Sequence, residues 1–331
     1  HAWWQPDWAY RKPVTVDAGP KAGAVGGDPG RIPVLLRLHS GNFNFEGVSD
    51  SGADLRFVAG DDKTVLNHQI EQFNPLLGIA LIWVDVPALT AGTPQKLWMY
   101  YGNPKAPASG NGQRTFDPDY SLVYHFAEPG VPSRDSTAYG NHAQTAVPAL
   151  DGSVIGAGAR LGTAPLMLPA SPSLALAAAA PFTFSAWVRP DSLGAQQVLY
   201  ARRDGANELL IGIDQGVPFV QVNGQRSKPG QPIQAAQWSH LAVKADKANV
   251  ALYVGGRPAV SLATALPALT TAASVGADAP PVASGAATLA NFTGAIDELR
   301  LSRTARPDAL LLADAVSQGS ESRLAVFGAD E

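Results

Sequence analysis

The sequence predicts an all-β chain of two antiparallel β-sandwich domains, and three observations carry that prediction. Short apolar runs recur along the whole length, each bounded by Gly, Pro, Asn or Asp, the residues that end strands and make turns. The 33 Gly and 27 Pro are scattered between these runs, which is the punctuation of many short strands. At 331 residues the chain exceeds a usual single sandwich, so two cores are expected. Hydrophobic residues make up 46% and charged residues 16%, enough to fill such cores and too apolar for disorder.

Residues 1–112 read as the first domain, with strands expected at 14–16, 32–38, 55–58, 79–84 and 96–101. The polar, Gly/Pro/Asn-rich stretch 102–112 has no apolar anchor and suits an exposed connection. Residues 113–331 form the second domain, opening with the run 122–126. There the segment 182–188 alternates cleanly, putting Phe182, Phe184, Ala186 and Val188 on one face. Segments 238–243 and 250–254 repeat the pattern, and Gly255-Gly256 supplies a hairpin turn. The spacing of Ile296, Leu299 and Leu301 breaks parity across Asp297-Glu298, which predicts a β-bulge re-aiming both carboxylates. Only residues 307–316 read as a helix, with proline at the start.

Composition narrows the partners. The formal net charge is −4 and no cluster of Lys and Arg stands out, so nucleic acid is not expected. Cysteine is absent, which removes disulfides and thiolate metal sites. No stretch approaches the roughly 18 apolar residues of a membrane span. The chain begins at His1, not methionine, as expected of a processed or excised fragment, and Ala2-Trp3-Trp4 suits the residues after signal cleavage. Membrane attachment is accordingly expected outside this fragment.

Five segments of the second half occur in one order: Asp135-Ser-Thr-Ala-Tyr-Gly-Asn141, residues 182–190, residues 238–243, residues 252–257, and Phe292-Thr-Gly-Ala-Ile-Asp-Glu-Leu-Arg-Leu301. Together they resemble the laminin-G-like, concanavalin A-like lectin/glucanase superfamily, whose fold is a jelly roll. In the first half, Trp3-Trp4 with Tyr10-Arg11-Lys12, Asn42-Phe43-Asn44-Phe45, residues 52–57, residues 82–84 and residues 98–103 resemble a domain of unknown function that precedes such modules. In this order the pair is similar to the periplasmic N-terminal region of MotA/TolQ/ExbB-type proton-channel proteins of Gram-negative bacteria. The resemblance implies a periplasmic or other extracytoplasmic location, tethered to the inner membrane.

The resemblance also implies a structural calcium ion held by Asp135 and Asp297, with Asn141 and His142 following at a Gly-rich turn. Calcium takes six to eight hard oxygen ligands, so carboxylates mixed with carbonyls suit it. The competing reading is that Asp135 caps a turn and Asp297 pairs with an arginine. Aromatics offer a second kind of site, since sugar C–H faces stack on rings. Trp3, Trp4 and Tyr101 are the candidates, although adjacent strand residues face opposite ways, which puts one of each neighbouring pair in the core. Arg202 and Asn207 are expected on a polar hairpin at the sandwich edge that could meet ligand.

No catalytic set is legible. The Glu-x-Asp-x-x-Glu of the superfamily's glucanases is missing, the six histidines lack metal-ligand spacing, and no Gly-x-Ser-x-Gly occurs. Copper chelation by a terminal His1 is set aside, because amine and ring alone make a partial site. The sequence therefore points to a non-catalytic extracytoplasmic module for a glycan or protein ligand. A carbohydrate-active enzyme and a spacer or oligomerisation domain are the alternatives.

Overall fold

The structure, a computed structural model, describes residues 3–128, 131–278 and 289–331; His1 lies outside them. The chain divides into two compact units, His1–Asp117 with Pro307–Glu331, and Pro118–Arg306. The first unit opens with β1 (Tyr10–Val16), β2 (Gly30–His39), β3 (Arg56–Ala59), β4 (Val65–Leu66), β5 (His68–Asn74), β6 (Ile79–Leu89) and β7 (Gln95–Tyr101), then one helical turn, α1 (Gly112–Thr115). Strands β2, β6 and β5 make one antiparallel sheet in that order. In β1, Val14 and Val16 are buried between less buried neighbours, as period-two patterning requires, whereas β2 and β7 are buried on both faces over residues 32–36 and 97–101.

The second unit contains β8 (Tyr120–Tyr124), β9 (Ala149–Leu150), β10 (Gly158–Leu161), β11 (Leu166–Met167), β12 (Phe182–Pro190), β13 (Gln196–Asp204), β14 (Asn207–Asp214) and β15 (Val217–Val222). It continues with β16 (Gln225–Arg226), β17 (Ser239–Asp246), β18 (Asn249–Val254), β19 (Arg257–Leu262), β20 (Ala273–Val275), β21 (Ala290–Asn291) and β22 (Gly294–Ser302). One sheet has the order β19-β18-β17-β12-β22-β10-β9, with β8 also paired to β22; the other has the order β11-β20-β13-β14-β15-β16, with β21 beside β13. Inward residues of both sheets share one core. Phe182, Phe184, Ala186 and Val188 of β12 meet Leu209, Ile211 and Ile213 of β14 there, and Phe184 lies 5.3 Å from the Tyr200 ring. This is the sandwich the alternating segments predict.

Beyond Arg306 the chain returns to the first unit. Helix α2 (Asp308–Gln318) packs on β2, and Arg37 of β2 donates to the carbonyls of Gln318 (2.6 Å) and Gly319 (2.7 Å) at its C-terminal end. Strand β23 (Ala325–Phe327) pairs antiparallel with β1, Val14 opposite Phe327, completing the sheet β23-β1-β7-β3-β4. Arg11 holds the Glu331 carboxylate at 2.7 Å, and Lys12 donates to the Gly328 carbonyl at 2.9 Å. This division differs from the expected one, in which 113–331 was continuous: residues 307–331 belong to the first unit instead.

Candidate ligand groove and the buried bulge

The expected bulge is present. Along β12, Ser185 lies opposite Arg300 and Trp187 opposite Asp297, so Glu298 and Leu299 share the space facing one residue. Glu298 takes up the extra residue at φ +50°, left-handed backbone that a non-glycine side chain adopts at a cost of about 1–3 kcal/mol. The bulge does not turn the carboxylates toward solvent: Asp297 is 0% exposed and Glu298 2%. Asp297 accepts from Ser153 Oγ (2.6 Å) and from the Ile155 and Glu298 amides (3.0 and 2.7 Å). Glu298 accepts Arg300 Nε at 2.9 Å and meets His125 Nδ1 at 2.6 Å.

The two carboxyls are driven apart. Burial raises Asp297 well above the usual range, and the neighbouring Glu298 charge adds to it, outweighing the donated hydrogen bonds. Burial also pushes Glu298 upward, but His125 and Arg300 more than offset it and hold the carboxyl low. His240 of β17, edge-on to Trp187 at 5.2 Å, is lowered to about 3 by burial and then by Arg300. This cluster is a buried ionic core, closed to solvent at Asp297, Glu298, His240 and Arg300.

Asp135 organises the loop after β8. Its Oδ1 accepts the Val123 and Thr137 amides, both at 2.9 Å, and its Oδ2 accepts Thr137 Oγ1 (2.6 Å) and the Asn141 amide (2.9 Å). His142 Nδ1 accepts the Asp135 amide, while the Asn141 side chain donates to Ser121 O and Ser173 Oγ and accepts from Ser171 Oγ. These four residues do not fit the calcium ion expected of them. Both carboxylates are already surrounded by N–H and O–H donors, where a cation needs free lone pairs. Among the described residues, no cluster of three or more metal-ligating side chains includes Asp135, His142 or Asp297.

The expected ligand-binding residues scatter. Trp3 and Trp4 precede β1 and lie half-buried on the outer face of its sheet, packed with Trp8 against Val58, Trp98 and Tyr100. Arg11 stacks 3.8 Å from the Trp98 ring centroid and 5.2 Å from that of Trp3, so these rings clamp the N-terminal segment. Tyr100 and Tyr101 are both buried, where one was expected outside. Burial and a hydrogen bond to Asp330 raise the Tyr101 hydroxyl above its usual range, and its ring is not a stacking platform. Arg202 is 3% exposed and donates to the Leu174 (2.7 Å) and Thr271 (2.9 Å) carbonyls. Asn207 donates to the Ala268 carbonyl. Neither forms an open loop site.

A groove that the sequence reading passed over lies on the second unit, where the β14–β15 turn meets β16. It has a volume of about 300 Å³ and is lined by Asp214, Val217, Pro218, Phe219, Arg226 and Pro229, among others. Alternation puts Val220 and Val222 in the core and turns Phe219 and Gln221 outward. The Arg226 guanidinium covers the Phe219 ring at 3.8 Å. Its Nε donates to Gln221 Oε1 (3.0 Å), and Nη1 to Gln196 Oε1 (3.3 Å) and Asp214 Oδ2 (3.4 Å). The Arg226 and Asp214 side chains keep 30% and 35% exposure. A carboxylate and a guanidinium, the latter held by Gln221 and Gln196, thus edge an apolar floor.

Two facing, largely antiparallel sheets around one core define a β-sandwich. Residues 162–309 match the Concanavalin A-like lectin/glucanases superfamily, and residues 51–128 match a Domain of unknown function (DUF2341). The chain therefore carries a concanavalin A-like domain behind an N-terminal domain of unknown function. No curated protein matches it. Among solved structures, it is similar to the binding domain of Paraclostridial Mosquitocidal Protein 1 (13% identity, TM-score 0.48, covering 60% of this chain and 52% of that one). It is similar also to domain 4 of AbnA, an extracellular arabinanase from Geobacillus stearothermophilus, in complex with arabinotriose (19%, TM-score 0.45, 59% and 97%). A third is the heptameric SAP-like pentraxin from Limulus polyphemus (14%, TM-score 0.36, 46% and 85%). The chain spans about half the length of the mosquitocidal binding domain.

Proposed function

We propose that this chain is a non-catalytic, extracytoplasmic recognition module whose second domain takes a neutral glycan in the Arg226 groove. The observation that carries this reading is the groove's chemistry. Asp214 can accept from a vicinal pair of hydroxyls while Arg226 donates to sugar oxygens, and Val217 and Pro229 meet the C–H face. Asp214 is the only carboxylate among the described lining residues, whereas glycoside hydrolysis uses two flanking the bond. The Asp297–Glu298 pair, buried and hydrogen-bonded, does not supply a second.

The order of domains, similar to that of MotA/TolQ/ExbB-type proteins, supports placing the module in the periplasm as the outer part of a proton-channel transport protein. No helix among the described residues is long and apolar enough to cross a membrane, so this reading draws the membrane segment from elsewhere. The test is a glycan array followed by calorimetry with the best hits. Arg226→Ala and Asp214→Ala are each expected to weaken binding about tenfold, roughly 1.4 kcal/mol, with the thermal midpoint unchanged. A chain that binds no glycan, or variants that bind as well as the parent, would overturn the proposal.

A further inference from the structure

The N-terminal unit carries a second groove, larger than the first at about 560 Å³ and made of different chemistry. It lies between the loop following β2, residues 40–46, and the tip of the β5–β6 hairpin, with Lys12 and Asp330 also lining it. The hairpin tip departs from ordinary turn composition. Its sequence is Pro75-Leu76-Leu77-Gly78, and the two leucines are 97% and 67% exposed. Turn tips are usually polar, because exposed apolar side chains gain nothing from water. The tip is also set in place: Gly78 sits at φ +64°, and a Cβ there would come within 2.3 Å of Ser40 Oγ.

Across the groove the lining is acidic. The exposed Glu46 carboxylate has no ion pair or hydrogen bond among the described residues. Asp330 lies 3.5 Å from Lys12 Nζ, but Lys12 is itself only 5% exposed and donates at 2.9 Å to the Gly328 carbonyl. The accessible balance is therefore negative, with aliphatic tips beside it. Phe45, half-buried against Phe43 at 5.0 Å, extends the apolar side.

We infer that this groove binds a polypeptide segment of a partner protein that presents a basic side chain next to aliphatic ones. Two features favour a peptide over a glycan. Sugars stack on flat ring faces, whereas the most exposed apolar groups here are branched aliphatic tips, which suit leucine-like side chains. The unpaired Glu46 carboxylate complements a Lys or Arg. This inference is independent of the glycan reading, since the two grooves share no residue.

Fluorescence anisotropy of the full chain with three labelled synthetic peptides tests it: Gly-Lys-Leu-Leu-Lys-Gly, its Glu-for-Lys counterpart and its Ser-for-Leu counterpart. The basic, leucine-bearing peptide is expected to bind at least about tenfold tighter than either counterpart and to weaken as salt rises. Leu76→Ser and Glu46→Lys should each reduce its affinity about tenfold, while Arg226→Ala leaves it unchanged. These positions are exposed, so folding is not at stake. Equal binding of the three peptides, no binding, or insensitivity to Leu76→Ser and Glu46→Lys overturns the inference. Loss of peptide binding in Arg226→Ala would instead assign the peptide to the other groove.

Discussion

Replacing Glu298 by Gln keeps the bulge and nearly the same volume but removes the negative charge between His125 and Arg300. Arg300 is 2% exposed, and its Nη2 lies 2.8 Å from Glu298 Oε2. The variant therefore removes the Glu298 countercharge from a buried guanidinium. Breaking one partner out of such a pair costs about 3–5 kcal/mol. For a unit of this size each 1 kcal/mol lowers the midpoint by about 2–4 °C, so a fall of roughly 6–20 °C is expected in the transition of the concanavalin A-like unit. Calorimetry or circular dichroism on the full chain reads this, with urea unfolding giving the free energy directly. The double variant Glu298→Gln/Arg300→Met is expected to recover most of the loss, because an apolar side chain of similar length leaves no buried charge behind. A loss below about 1 kcal/mol in Glu298→Gln, or no recovery in the double variant, would refute the argument that this ion pair holds the bulge.

Two further outcomes follow from other parts of the molecule. A chain ending at Arg306 should keep the unfolding transition of residues 118–306 and lose that of the first unit, since β23 and α2 are removed from it; two intact transitions in the calorimeter would contradict the division described. Acid should destabilise both units through buried histidines. His68 is lowered to about 4 by burial and then by Arg56, and His240 to about 3. Because the folded values lie below the unfolded value of about 6.5, their contribution is complete above that pH and is lost as pH falls toward 4 and then 3. Between pH 7 and 4.5 each is worth roughly 2–3 kcal/mol. His68→Phe should flatten this limb for the first unit in urea titrations, and an unchanged limb would exclude His68 as its source.

Much of the fold was legible because its signals are local. Phe182, Phe184, Ala186 and Val188 do line the core, the parity break at Asp297-Glu298 is a bulge, and the helix starting near Pro307 is α2. What the helix packs on was not legible, since pairing of β23 with β1 joins residues some three hundred positions apart. The site residues misled for a different reason. Polar character suggests exposure at Arg202, yet carbonyls of Leu174 and Thr271 draw its guanidinium inside. Asp135 looked like an ion ligand, but four donors from its own neighbourhood fill its oxygens. Conversely, the Arg226 groove needs the β13–β14–β15–β16 register to bring Gln196, Asp214, Gln221 and Arg226 together. Only the alternation of Phe219 and Gln221 hinted at it.

The return of β23 to β1 has a bearing on synthesis. The first unit is interrupted by the whole of the second, so its five-stranded sheet lacks an edge until residue 327 is made. At about 5–20 residues per second, roughly 10–40 s separate the appearance of Asp117 from that of the closing strand. Residues 118–306 can complete their core within that interval, while β1 waits with an open edge able to pair wrongly. The domain that begins first is thus the last to close, and its yield should depend on how quickly the inserted sandwich folds.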